Sequence, residues 1–312
     1  MTHQQQGDTM SSSEPEFNDA REYSSLEEVM NTLLTAKGKS FRELDQTGRA
    51  LTGGNKGSLG QIIEESVLKY AINSDAAPDI HIGDTSYELK VTPLKHIKKG
   101  KQTSAKERLV IDIINYLTLA DETDFESSKM WDKAKNIILV YYYDDRTDKK
   151  KELRIDCKVL ASYLMKYEAD DLATIKNDWH VIRDKVASGH ADSLSESDTN
   201  YLAACTKGAN SKQLREAPAP AGANTATIFA KQRAFSLKTS YMTAIARKLL
   251  NRKSETVRLP IPQEQNLDEY VAAKFIPYSG KSSRDIASEL QVSAAPTAKN
   301  YNLSLAFPML GA

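Results

Sequence analysis

Cysteine is nearly absent: Cys157 and Cys205 are the only two in 312 residues, and no CxxC pair occurs. That excludes a disulfide framework and a cysteine-held zinc site. A reducing cytoplasm is the expected setting. Long apolar runs are missing too. The longest, Ile137 to Tyr143, is far too short to span a bilayer, so no membrane partner is expected. The opening MTHQQQGDTMSSSEPEF has no apolar core, so no secretory signal is expected. A phosphate-cradling loop is also wanting. Gly53 to Gly57 reads GGNKG, without GxxxxGK[ST] spacing and without a preceding strand, so no nucleotide cofactor is expected. The histidines show no spacing that suits a metal. Net charge is zero, with 42 basic and 42 acidic residues.

What is present is an ordinary globular composition, 40% hydrophobic and 27% charged, enough for a sizeable core. The neutral balance hides segregation. Lys90 to Lys106 carries six lysines, a histidine and no acid. Lys207 to Arg258 carries eleven Lys or Arg against Glu216 and Glu255. Acids gather in Asp8 to Glu28, Asp121 to Asp132 and Asp192 to Asp198. Separation of this kind builds a positive cleft on a neutral protein and points to a polyanion as partner.

Residues 1 to 24 are polar and without period, and are expected to be disordered. Leu26 to Leu34 has helical spacing. Ser58 to Ile72 is the clearest helix, with Ser58 and Gln61 in capping-box position. Its apolar face is Leu59, Ile62, Ile63, Ser66, Val67 and Tyr70, and Glu64 sits on the border of that arc. Thr92 to Lys106 reads as a basic loop, and Arg108 to Leu119 as strand or helix. Ile137 to Tyr143 reads as a buried strand, Arg146 to Lys151 as a charged turn and Leu153 to Ile155 as the returning strand. Val159 to Tyr167 and Asp170 to Ser188 read as helices. Tyr201 to Thr206 and Gln232 to Leu237 read as strands flanking a loop over Ala217 to Ala226. Ser240 to Leu250 reads as a helix with a basic end. Leu259 to Pro262 reads as a linker, and residues 268 to 312 as a helical tail.

One stretch carries chemistry. Pro78 to Lys90 reads PDIHIGDTSYELK, with a turn at Gly83-Asp84 between two strand-like runs. Alternation on the second strand sends Tyr87, Leu89 and Val91 one way and Glu88 and Lys90 the other. If Pro78-Asp79 opens the partner strand of a hairpin, Asp79 reaches the same neighbourhood. Two carboxylates hold a hard divalent cation, which prefers oxygen ligands. Such a cation polarises a phosphate and acidifies water, and a lysine beside it orients the water or meets charge building on phosphorus.

Four stretches together resemble the MutH family of endonucleases. They are Asn55 to Glu64, NKGSLGQIIE; Pro78-Asp79 with Tyr87 to Lys95, YELKVTPLK; Tyr201 to Lys212, YLAACTKGANSK; and Arg233 to Ala246, RAFSLKTSYMTAIA. The family includes a mismatch-repair enzyme that nicks at GATC and type II restriction enzymes that cut GATC; the first two stretches look nearer to the latter. The resemblance covers about 25 to 255. It implies a PD-(D/E)xK restriction-endonuclease-like fold, a central mixed β-sheet flanked by helices with a two-lobed DNA cleft. Asp79 and Glu88 look like the metal ligands, joined by the carbonyl of Leu89, and Lys90 like the catalytic lysine. Glu64 matches the family's helix acid. Lys207 falls in the segment that reads the DNA site, and Phe235, Ser236 and Lys238 in the region near the major groove. Ser236 stands where the repair enzyme has an aromatic.

The expected function is therefore Mg²⁺-dependent hydrolysis of double-stranded DNA at GATC or a related site. Lys95, Lys98, Lys99 and Lys101 are expected to meet phosphates. One centre per chain implies dimerisation on DNA or sequential nicking. Rivals are a nicking repair enzyme and a DNA-binding module with a dead site. The stretch Gly280 to Ile286 echoes Gly38 to Leu44, so residues 256 to 312 read as linker and tail, with a truncated second copy as the alternative.

Overall fold

The computed structural model describes residues 23–48, 58–70, 79–97, 102–147, 152–208 and 213–250, with two short strands at 256–259 and 299–302. Its centre is a mixed sheet. Strand β1 (Ile80–Ile82) pairs antiparallel with β2 (Thr85–Ile97), and β2 pairs antiparallel further along with β3 (Gln102–Ala105). A second set begins with β4 (Leu109–Ile113), described below. On the other side of β2, β5 (Ile137–Tyr143) runs parallel, and β6 (Val159–Leu164) closes the sheet antiparallel to β5.

Alternation along β5 feeds two cores. Ile138, Val140 and Tyr142 face an N-terminal layer built from α1 (Leu26–Leu34), α2 (Phe41–Leu44) and α3 (Ser58–Ile62), with Val29, Leu33, Phe41 and Ile62 buried there. Ile137, Leu139 and Tyr141 face a larger layer. That layer holds α4 (Tyr116–Asp121), α5 (Lys129–Ala134), α6 (Ala169–Ala187) and α7 (Thr239–Leu250). It also holds a three-stranded antiparallel sheet in which β10 (Arg233–Leu237) lies between β4 and β7 (Leu202–Thr206). Strands β8 (Leu214–Pro218) and β9 (Thr227–Lys231) form a separate ribbon, and β11 (Thr256–Leu259) pairs with β12 (Lys299–Asn302).

One acid ties the larger layer together. Asp178 on α6 is fully buried, and its carboxylate accepts from the backbone N–H groups of Asn200 (2.9 Å), Tyr201 (2.6 Å) and Leu202 (2.9 Å). It satisfies the donors at the entry to β7, which would otherwise be orphaned away from water.

Several expectations need correction. The basic loop expected over Thr92 to Lys106 is the β2–β3 hairpin, paired Leu94 to Ala105 through Ile97 to Gln102. Pro93 does not stop β2, because its missing N–H faces the stretch of edge between β1 and β3, where no strand is registered against it. Val159 to Tyr167, expected as a helix, contains β6: pairing with buried β5 outweighs the local spacing. The returning strand expected at Leu153 to Ile155 is replaced by a 3-10 turn, Arg154–Asp156. Arg108 to Leu119 divides into β4 and α4. The Ala217 to Ala226 loop is shorter than expected, since β8 runs to Pro218. Leu259, expected to open a linker, ends a strand, and residues 299–302 of the expected helical tail are strand.

Tyr23, placed in the expected disordered segment, donates its hydroxyl to the Leu68 carbonyl at 2.5 Å. The rest of that segment described here is Ser24, bonded to Glu28. Residues 1–22, Gly53 to Gly57, Arg146 to Lys151 beyond 147, and the echo at 280–286 lie outside the described residues.

Candidate active site

The β1–β2 hairpin forms as the sequence suggests, with Ile82 opposite Thr85 and Gly83 at φ +54° in the turn. Leu89 is buried in the N-terminal core with Tyr87 and Val91 packed beside it. Glu88 and Lys90 leave from the opposite face of β2, the one shared with Ile137 and Leu139 of the larger core. The Lys90 ammonium stands 2.6 Å from Glu88 Oε1, and the two side chains keep 24% and 14% exposure.

Asp79 enters through the backbone. β1 is registered against β2 only as far as Ile80–Tyr87, and the pairing of β2 with β3 starts only at Leu94, opposite Ala105. Between them the edge of β2 has no strand opposite. There the Leu89 N–H donates to Asp79 Oδ2 at 2.7 Å. The Glu88 N–H points the other way, to the Asn136 carbonyl at 2.9 Å, so amide directions alternate and the Leu89 carbonyl faces the Asp79 edge. The structure thus brings Asp79, Leu89, Glu88 and Lys90 together within one turn of chain and one strand edge. All the oxygens offered are hard donors, two carboxylates and a main-chain carbonyl, a set that suits Mg²⁺ in chemistry. Among the described residues no group of three or more His, Cys, Asp or Glu side chains could hold a metal, so a metal here depends on the carbonyl and on water.

Asn136 was not legible as part of this site. Its carbonyl takes the Glu88 N–H, and its side-chain amide donates to the Ser86 carbonyl at 3.1 Å. It clamps the stretch of β2 that leads into the acid. Only its place just ahead of the apolar run of β5 could have flagged it.

Glu64 lies in a π-helical turn, Ile63–Val67, that continues α3. π turns insert one residue and recur at functional sites. The helix therefore ends at Val67, short of the expected Ile72, with Lys69 left-handed at φ +60°. The expected apolar face is buried throughout, from Leu59 to Tyr70. Glu64 is half-buried, its Oε1 turned back over Gly60, 3.9 Å from where a Cβ would stand. Glu65, the next residue, is buried, and Thr47 Oγ1 donates to it at 3.4 Å.

The residues expected to touch DNA are placed unevenly. Lys95 is seven positions from Glu88 on a continuous strand, an odd number, so it leaves from the opposite face. Lys98, Lys99 and Lys101 lie outside the described residues. Lys207 is exposed at the end of β7. Phe235 and Ser236 are buried at 4% and 0% in the middle strand of the β4–β10–β7 sheet, at a bulge against β4, so neither side chain is offered to a ligand there. The Lys238 ammonium donates to the Thr199 carbonyl.

A mixed sheet carrying helices on both faces fits the restriction-endonuclease-like fold. Residues 68–178 match the family model of the DNA mismatch repair enzyme MutH, and those residues include Asp79, Glu88 and Lys90. The chain is 36% identical over 288 residues to the type II restriction enzyme Sau3AI of Staphylococcus aureus, an alignment covering 91% of this chain and 56% of that enzyme. It is 26% identical over 225 residues to the mismatch repair protein MutH of Shewanella woodyi, covering 70% of this chain and 90% of that protein. The chain thus spans little more than half of the staphylococcal relative. Among the described residues no helix is long and apolar enough to cross a membrane.

Proposed function

We propose that the chain is a type II restriction endonuclease of PD-(D/E)xK type that hydrolyses double-stranded DNA at GATC or a closely related site, using Mg²⁺, in the cytoplasm. The observation that carries this reading is the β2 edge, where Asp79 meets the Leu89 amide and Glu88 meets Lys90. The sequence kinship with a named restriction enzyme supports it.

Asp79, Glu88 and the Leu89 carbonyl would hold the cation. When bound, Mg²⁺ supplies Lewis acidity to the scissile phosphate and lowers the pKa of water. The chain does the rest. The Leu89 N–H fixes one Asp79 oxygen, and Asn136 fixes the backbone of Glu88, so the acids are preorganised. The Lys90 ammonium, already at the acid pair, orients the attacking water and faces the charge that develops on phosphorus. Attack is direct, with departure of the 3′ oxygen and no covalent enzyme intermediate. Glu64 supports the arrangement from the neighbouring helix. Lys98, Lys99 and Lys101, which lie between β2 and β3 in sequence, meet phosphates. The larger layer, with Lys207 exposed, forms the second lobe of a DNA cleft and reads sequence. One centre per chain requires two copies on DNA or two successive nicks.

A second reading is a nicking repair endonuclease of the same site. The match that spans 90% of a MutH protein favours it. The test is incubation of purified protein with unmethylated and fully adenine-methylated plasmid, in Mg²⁺ and in chelator. Discrete double-strand fragments that disappear in chelator are expected. Nicked circles alone would give the repair reading. DNA shifted on a gel but never cut would leave a binding module.

A further inference from the structure

The most exposed large apolar side chain described is Phe229, at 66%, and Leu214 follows at 51%. They belong together. In the β8–β9 ribbon Leu214 faces Lys231 and Glu216 faces Phe229, so Leu214 and Phe229 are diagonal neighbours on one face. The other face packs inward through Ala217 and Ala230, which are 0% and 1% exposed and part of the larger core. The ribbon is thus anchored by small residues and presents an aromatic to solvent. Nothing in the Mg²⁺ chemistry uses it.

Its root is tied to the segment bearing Lys207. Gln232, 5% exposed, is the corner between β9 and β10. Its N–H donates to the Gln213 carbonyl at 2.9 Å, and its carbonyl accepts from the Lys207 N–H at 3.1 Å. Its side-chain amide donates to the Lys207 carbonyl at 3.3 Å and accepts from Arg215 Nε at 2.6 Å. Lys231 shares the face of the apolar pair, directly across from Leu214, and Glu216 lies across from Phe229; Arg215 leaves from the other face, and Lys207 is exposed at the root of the ribbon.

We infer that the β8–β9 ribbon is a second DNA-contacting element, which lays Phe229 and Leu214 into a groove while Lys231 and Lys207 meet flanking phosphates. This rests on the proposed nuclease function and extends it. A two-stranded ribbon fits the major groove, about 12 Å wide. Apolar side chains reach base edges and steps that lysines do not read. A second copy of the chain is a poorer occupant. Two side chains fall far short of the roughly 800 Å² per partner of a stable interface, and their basic surround repels itself.

The experiment measures binding of the full-length protein to a fluorescent GATC duplex by anisotropy, in chelator to stop hydrolysis, across a salt series. Phe229→Ser is compared with wild type, Lys231→Gln, and Val181→Ser, an exposed site on α6. Phe229→Ser is expected to weaken binding about tenfold at every salt with the salt slope unchanged, since an apolar contact releases no counterion. Lys231→Gln is expected to reduce the slope by about one. Equal affinity of Phe229→Ser and wild type overturns the inference. So does an equal loss in Val181→Ser, or a Phe229→Ser protein that changes its oligomeric state in light scattering while each chain binds DNA as before. A wild-type protein that binds no duplex overturns the nuclease reading and this one with it.

Discussion

The paired strands β2 and β5 carry an acid–base cluster near each end, and the two are built differently. At the far end Asp144 follows β5, is 1% exposed and is fully enclosed by cations. Its carboxylate lies 3.0 Å from Lys106 Nζ and 2.8 Å from Arg146 Nε, with a second Arg146 nitrogen at 3.1 Å. Its N–H donates to the Leu94 carbonyl, and Lys106 also reaches the Asp144 carbonyl at 2.6 Å. Burial alone would push this carboxyl up, but the hydrogen bonds and charges of Arg146 and Lys106 outweigh it and hold it well below the usual carboxylate range. At the near end Glu88 meets a single cation, and the Leu89 carbonyl opens on an edge without a facing strand. The same residue types make a closed structural clasp in one place and an open cluster in the other. The distinction lies in how many partners each oxygen has, and alternation along a strand says nothing about that.

Substitutions sharpen the contrast. Glu88→Ala should lower cleavage of plasmid by about a thousandfold or more, on the scale of losing a preorganised charged group at a reaction centre, while circular dichroism and melting stay near wild type. Unfolding of this variant would make Glu88 structural, like Asp144. Conversely, Asp144→Asn should leave three cations, Lys106, Arg146 and the more distant Arg154, facing a neutral amide. The expected cost is about 2–3 kcal/mol, below that of a fully buried pair because Lys106 and Arg146 keep 20% and 16% exposure. Denaturant melts read this directly, and an unchanged midpoint would refute the clasp.

Lys90→Ala removes a cation from the face where Mg²⁺ would sit. Calorimetric titration with Ca²⁺ in the absence of DNA should show about tenfold tighter binding, from lost repulsion, and equal or weaker binding would count against Glu88 as a ligand. The smallest effect is on acid stability. The folded Asp144 carboxyl lies below its unfolded value of 3.8, so its stabilisation is complete above that value and is lost as pH falls toward the folded one. Melting of wild type should therefore fall more steeply than that of Asp144→Asn below about pH 4.

How much was legible follows the same division. Strong local signals were read well: the Gly83 turn, the apolar run of β5, the long helix α6 and the alternation that sets Glu88 against Leu89. Asp79 could be placed near the acid pair, but its bond to the Leu89 amide depends on where β1 stops. Misreadings occurred where distant partners decide. β6 has helical spacing but is a strand because β5 lies beside it. Phe235 and Ser236, matched to a DNA-reading region by sequence likeness, are interior: they sit on the middle strand of a sheet, and Phe235 packs into the larger core. Nothing in the sequence singled out Asp178 or Asp144, since no local pattern marks a carboxylate whose partners are amides and cations many residues away.

The strand β2 is thirteen residues long without a break, well beyond the usual five or six. From Glu88 to Ile97 is nine residues, a rod of about 30 Å at the strand rise of roughly 3.3 Å per residue. Duplex DNA advances about 3.4 Å per base pair. On the proposed nuclease function, a duplex lying along β2 would reach the end of the strand at Ile97 about nine base pairs from a phosphate at Glu88. Such a protein would protect more DNA than it reads, and oligonucleotides trimmed close to a four-base site would lose the grip that this built-in ruler provides.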